Sequence, residues 1–303
     1  MRKAKYIVGL FIFCCFVIFA FFLMISIFLV STQSERRGFD LFPALIARNK
    51  IALVPIEGII TDSRSVMETL NRFSRRSSIR GIVLRIESPG GGIAAAQEIH
   101  QEILRIRRDK GIPIVTSMGG VSASGGFYIA CASDKIFANP GTITGSIGVI
   151  AEWIDYSDVL KWARLNDVVF KSGEFKDSGS GRKKISEREK EYFKELINEL
   201  FEQFVDDVVE SRNLSREHVL EIADGKVFSG RVAKELGLVD DLGNLFDAIR
   251  ETARLAGIKG EPVVVEERKE KFSIMDILID RLVLTISDAF RQESGTMRYQ
   301  YRW

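Results

Sequence analysis

The chain has 303 residues, a formal net charge of +2 and 46% apolar residues. Its near-balanced charge argues against nucleic acid as a partner. The apolar fraction is enough for the core of one large domain or two small ones, and three cysteines with two histidines offer no spacing for a zinc site or another metal.

Residues 6–30 contain no charge and are dominated by Phe, Ile, Leu and Val. About 20 such residues span a bilayer, and a secretory leader has a shorter apolar stretch. Val30-Ser31-Thr32 is a poor cleavage site, so residues 1–32 are expected to form a cytoplasmic stub and an uncleaved transmembrane anchor. Arg2, Lys3 and Lys5 precede the run and favour a cytoplasmic N-terminus, against Arg36 and Arg37 after it. The rest of the chain is then expected outside the cytoplasm, with the lipid bilayer as one partner. Cys14 and Cys15 fall within the run. Cys131 stands alone in an apolar stretch and is expected as a buried thiol.

Residues 33–49 form a linker of mixed charge. A first strand is predicted over 51–56, with Pro55 marking an edge or a bulge. Helical apolar spacing covers 65–73. A strongly apolar strand over 81–86 ends at Ser88-Pro89-Gly90-Gly91-Gly92, and a helix follows over 93–108. The next strand is predicted over 112–116, a short apolar helix over 125–131 and a further strand over 135–138. Strand, turn and helix repeat, which is the pattern of an α/β fold with parallel strands. Beyond Phe170 the character becomes helical: a long charged amphipathic helix over 186–212, then shorter ones over 215–223, 230–236 and 245–255. The domain over 50–256 gives way to an extension over 257–303. That extension holds an amphipathic helix candidate over 272–290 and an aromatic, basic tail over 297–303.

Three places carry chemistry. Glycines after a buried strand permit positive φ, and their N–H groups can face an anion at the mouth of the next helix. By itself the triplet at 90–92 is most simply a tight turn. Ser124 lies past a strand end, at a helix start, with Gly125 next to it; Ser122 competes two residues away. A serine hydroxyl needs a base. His100 reads as a packing or surface residue and His218 as an exposed one. A lysine serves if a dry site leaves it neutral, and Lys176 is the candidate, with Lys171, Lys183 and Lys184 nearby.

The motifs occur in order. They are Ser88 to Gly92, Ala123-Ser124-Gly125-Gly126-Phe127-Tyr128, Thr144-Gly145-Ser146-Ile147-Gly148-Val149, Lys171-Ser172-Gly173 with Lys176-Asp177, residues 223–230, and residues 236–243. Together they resemble the bacterial signal peptide peptidase family in its short, single-domain form, over about residues 51–256. The resemblance implies an α/β Clp-protease/crotonase-like fold with a helical C-terminal part, no cofactor, and a Ser/Lys dyad. The nucleophile falls on Ser124, the base on Lys176 and the serine supporting the lysine on Ser146. The oxyanion hole falls on Gly91 with Gly125, Gly90 being the alternative. Ile93, Val121 and Ile147, each beside a glycine-rich motif, are expected to line the substrate groove. The implied partners are peptide substrates, signal peptides above all, and further copies of the chain in a homo-oligomeric ring. Glu87 stands where the family often has Asn, a change expected to alter rim polarity. The related Clp peptidase has a histidine where this chain has Val149. The expected activity is that of a membrane-bound serine endopeptidase. The alternatives are a crotonase-type acyl-CoA enzyme and a non-catalytic membrane scaffold.

Overall fold

The computed structural model describes residues 49–266. The expected anchor, nearly all of the linker, and the helix and aromatic tail expected near the C-terminus lie outside the described residues. Among the described residues no helix is long and apolar enough to cross a membrane.

The chain begins with β1 (Lys50–Glu57), α1 (Arg64–Ser74), β2 (Ile79–Ser88), α2 (Ile93–Lys110), β3 (Ile114–Ala123) and α3 (Gly125–Cys131). Then come β4 (Lys135–Ala138), β5 (Ile143–Gly145), α4 (Ser157–Trp162), a 3-10 turn (Glu174–Asp177), α5 (Glu187–Arg212) and α6 (Arg216–Ile222). Last are β6 (Val227–Ser229), α7 (Gly230–Glu235), β7 (Asp241–Leu242), α8 (Leu245–Leu255) and β8 (Val263–Glu266). The strands form one sheet in the order β6-β5-β3-β2-β1-β8, with β4 beside β3 and β7 beside β4. All pairings are parallel except β5 with β6.

A parallel sheet is covered on both faces, so its strands read as unbroken apolar runs. In β2, Ile82, Leu84 and Ile86 join the core under α1, α2, α3 and α5. Val83 between them joins a smaller core under α8, with Ile51, Val115, Ala248 and Ile249. All four β2 residues are completely buried, each contributing about 1.5–3 kcal/mol of transfer free energy. Helix α2 stops where Gly111 takes the left-handed conformation, and α5 starts at a capping box formed by Ser186 and Glu189.

Two boundaries differ from the sequence expectation. Strand β3 runs on through the small residues to Ala123, because both of its edges find partners there. β2 pairs on one side, and β4 and then β5 pair on the other. Strand β8 pairs with Lys50 to Leu53 of β1, which places residues to Glu266 in the sheet rather than in an extension starting at 257. Pro55 lies past that pairing and keeps its hydrogen-bonded neighbour only on the β2 side. The edge expectation for Pro55 is met there, and the register shift in β1 falls at Lys50/Ile51 instead.

Candidate active site

Ser124 sits at the corner where β3 turns into α3, with φ 52° and ψ −120°. A left-handed φ is unfavourable for a residue with a Cβ and marks a position held by its surroundings. Two bonds hold it. The Ser124 N–H donates to the Gly145 carbonyl (2.8 Å), and its own carbonyl accepts the Tyr128 N–H (2.8 Å). The arrangement presents the hydroxyl at a helix N-terminus, as in a nucleophile elbow.

The turn after β2 comes up against this corner. A Cβ added to Gly90 would lie 2.7 Å from the Gly125 nitrogen and 2.9 Å from the Ser124 Cβ, and Gly90 has φ +101°. Only glycine fits both the space and the dihedral. The Ile60 N–H donates to the Gly90 carbonyl (3.0 Å) and the Gly92 N–H to the Ile60 carbonyl (2.7 Å). In this parallel bridge between Ile60 and Gly91, the peptide groups of Gly91 itself face away from Ile60. Gly91 and Gly125 share a small pocket with Ser124, of about 30 Å³, closed by Ala96, Gln97, Tyr128, Leu200 and Phe204. A larger cleft of about 520 Å³ runs past it, lined by Ser124, Ser146, Gly148, Val149, Ile197 and Phe201 among others. Gly90 forms the close-packed back of the turn, while Gly91 lines both cavities.

Ser146 also has a left-handed φ of 52°, with its N–H on the Lys226 carbonyl (2.9 Å). It enters the same cleft as Ser124. Of the three expected groove residues, only Ile93 lines the cavities. Ile147 is completely buried in the core, because the turn at Ser146 directs it inward. Val149 and Ile150 line the cleft instead. Val121 is half-buried on β3 and lines neither cavity.

Lys176 is exposed in the single chain and lines neither cavity that holds Ser124, so this chain alone does not provide the dry site a lysine base needs. It lies in the 3-10 turn, whose neighbours are firmly tied. Lys171 donates to Asp177 (2.8 Å) and to the Glu174 carbonyl (2.8 Å). Lys183 bridges Asp177 (2.9 Å) and Glu189 (2.7 Å). Burial pushes the Glu189 carboxyl up, but the Lys183 ammonium, the Ser186 N–H and the hydroxyls of Ser178 and Ser186 outweigh it and hold it at about 2. The Lys171 and Lys183 ammoniums hold Asp177 below the usual carboxylate range. The turn is thus fastened to the start of α5, while the segment around it leaves Ile150, Trp162 and Phe170 83%, 86% and 95% exposed.

Two features escaped the sequence reading. Ile197, Leu200, Phe201 and Phe204 of α5 form one wall of the site, although their helical spacing was visible. Tyr128 donates to Asp207, packs at a tilt against His100 with ring centres 4.7 Å apart, and has its hydroxyl pushed upward by burial and by the Asp207 carboxylate. His100 is a packing residue, 2% exposed. Burial lowers its imidazole further than the Asp207 charge raises it.

Comparison with known proteins agrees with this geometry. The family model described as peptidase family S49 matches residues 106–259, and one described as Clp protease matches residues 33–143. A protein named as a protease in Methanocaldococcus jannaschii is 34% identical over 216 residues, covering 70% of this chain and 69% of that one. One named as a signal peptide peptidase in Enterococcus faecium is 36% identical over 216 residues, covering 67% of this chain and 62% of that one. One named as a protease in Synechocystis sp. is 38% identical over 221 residues, covering 72% and 79%. With the serine corner, the glycine turn and these matches together, the chain belongs to peptidase family S49.

Proposed function

We propose that the chain is a membrane-bound serine endopeptidase that cleaves remnant signal peptides and other apolar peptides, with Ser124 as nucleophile and Lys176 as general base. The observation that carries this is the convergence of Ser124, Gly91 and Gly125 on one pocket at a strained strand–helix corner. In this mechanism a neutral lysine amine takes the Ser124 proton as the Oγ attacks the peptide carbonyl. The N–H groups of Gly91 and Gly125 receive the resulting oxyanion. Collapse returns the proton to the departing amine. Water, deprotonated by the same lysine, then releases the acyl group and restores the serine. Ser146 supports the lysine from the cleft. The apolar α5 wall suits Leu- and Ala-rich substrates, and the relative named as a signal peptide peptidase supports that substrate class.

Lys176 stands outside the Ser124 cavities of its own chain, in a segment rich in exposed apolar side chains. We therefore assign the completed dyad to a homo-oligomeric ring in which the segment around Lys176 packs on a neighbouring copy. So many large apolar side chains exposed within one stretch of sequence suit a protein contact surface. The uncharged stretch at 6–30 supplies the anchor, with the peptidase domain over 50–256 and its closing strand on the extracytoplasmic side of the plasma membrane. The test is complementation. Ser124→Ala and Lys176→Ala proteins, each inactive alone, are co-assembled and assayed on a signal peptide. Recovered activity supports the shared dyad, whereas silence of the mixture with an active wild-type control rejects it.

A further inference from the structure

Strand β2 and β3 pair residue for residue from Ile82↔Ile114 to Ile86↔Met118, and then Ser88 pairs with Ser122. One residue of β2, Glu87, thus stands opposite three of β3: Gly119, Gly120 and Val121. Such a bulge strips backbone groups of their ladder partners. The Glu87 carboxylate replaces them. It accepts the Gly120 N–H at 2.7 Å and the Val121 N–H at 3.0 Å, one on each oxygen. Its room is made by glycine, since a Cβ on Gly119 would lie 1.7 Å from the Glu87 Oε2. The backbone of the same residue faces the other half of the site. The Glu87 carbonyl accepts the Gly58 N–H (2.9 Å), the Gly58 carbonyl accepts the Ser88 hydroxyl (2.6 Å), and that hydroxyl accepts the Gly90 N–H (3.1 Å).

We propose that Glu87 is a positioning residue that fixes Ser124 relative to the Gly90–Gly91 turn by clamping the β3 bulge three residues before the nucleophile. The proposal rests on Ser124 being the nucleophile. Two N–H donors aimed at one side chain need an acceptor on both oxygens, which a carboxylate offers and an amide does not. The Glu87 side chain is at the surface. If it is removed, water can take both N–H groups, so the fold is kept while the strand leading to Ser124 loses its fixed length.

The test uses the full-length protein and a fluorophosphonate probe, whose labelling rate reads the reactivity of Ser124 without a peptide substrate. Glu87→Ala and Glu87→Gln are expected to slow labelling about 10- to 100-fold, the loss that a displacement near 1 Å produces. They should lower kcat on a peptide by a similar factor, with KM and melting temperature nearly unchanged. Glu87→Asp keeps both acceptors and should recover most of the rate. Gly119→Ala is an independent variant. It evicts the carboxylate, and its nearest backbone contact would be the Ile86 carbonyl at 3.2 Å. It should reproduce the Glu87→Ala loss, and the double variant should be no slower than either single one. Should Glu87→Ala not fold, the Gly119→Ala result decides alone. Wild-type labelling rates in Glu87→Gln and Gly119→Ala overturn the proposal. Absence of labelling in the wild type would instead remove the reading of Ser124 on which it stands.

Discussion

Gly90→Ala tests the packing of the site in a way that the chemistry of the nucleophile does not. The new methyl would sit 2.7 Å from the Gly125 nitrogen, 2.9 Å from the Ser124 Cβ and 3.1 Å from the Ala123 carbonyl, all atoms of the corner itself. The φ of +101° costs about 1–3 kcal/mol for any residue with a Cβ, and overpacking adds about 1–3 kcal/mol. The variant should therefore lose about 2–6 kcal/mol of stability or relieve the strain by moving the turn. Either way the Gly91 and Gly125 N–H groups part from their present spacing. A shift near 1 Å should slow fluorophosphonate labelling about 100-fold. Gly111→Ala is the matched control. Its φ is also positive, at +62°, but a Cβ there meets nothing within 4 Å. It should cost about 1–2 kcal/mol and leave labelling untouched. Urea denaturation and labelling kinetics on both variants make the comparison. Wild-type labelling by a folded Gly90→Ala would refute the argument that the turn and the corner form one fixed unit.

Further outcomes follow from the same geometry. The Ser122 hydroxyl is buried with no hydrogen-bond partner among the described residues, so Ser122→Ala should keep full activity and stability within about 1 kcal/mol, whereas Ser124→Ala should lose all hydrolysis; turnover assays and melting curves separate the two. Lys176→Arg should be inactive, since a guanidinium does not release its proton at any working pH, and measurable peptide turnover by this variant would dismiss the lysine base. The Glu189 carboxyl, 3% exposed and held at about 2 against an ordinary 4.5, stabilises the folded state above about pH 5 and loses that contribution as the pH falls toward 2. Glu189→Gln should accordingly be about 1–3 kcal/mol less stable at pH 7, with the gap closing by pH 2; a gap that stays constant from pH 7 to 2.5 contradicts the assignment.

Much of the site was legible because glycine and serine were asked to do things that other residues cannot. The triplet at 90–92 and the Ser124-Gly125 pair mark places where backbone must approach backbone, and the structure brings them within contact. The buried strand at 81–86 declared itself by a continuous apolar run, as a strand covered on both faces must. What escaped has physical reasons too. The end of β3 is built from Ser, Gly and Ala, whose propensity argues against a strand, and its pairing with β2 and β5 overrides it. Ile147 follows a left-handed serine, which turns it inward against the expectation of a groove residue. Lys176 carries no local signal that separates it from Lys171, Lys183 and Lys184, and in the single chain it is exposed on a 3-10 turn.

The most direct measurement is the site of covalent modification. The full-length protein is reacted with a fluorophosphonate, digested, and the adduct located by mass spectrometry. A single adduct on Ser124, absent from Ser124→Ala and from denatured protein, is the predicted result. An adduct on Ser122, or peptide hydrolysis that persists without any adduct on Ser124, would contradict the account.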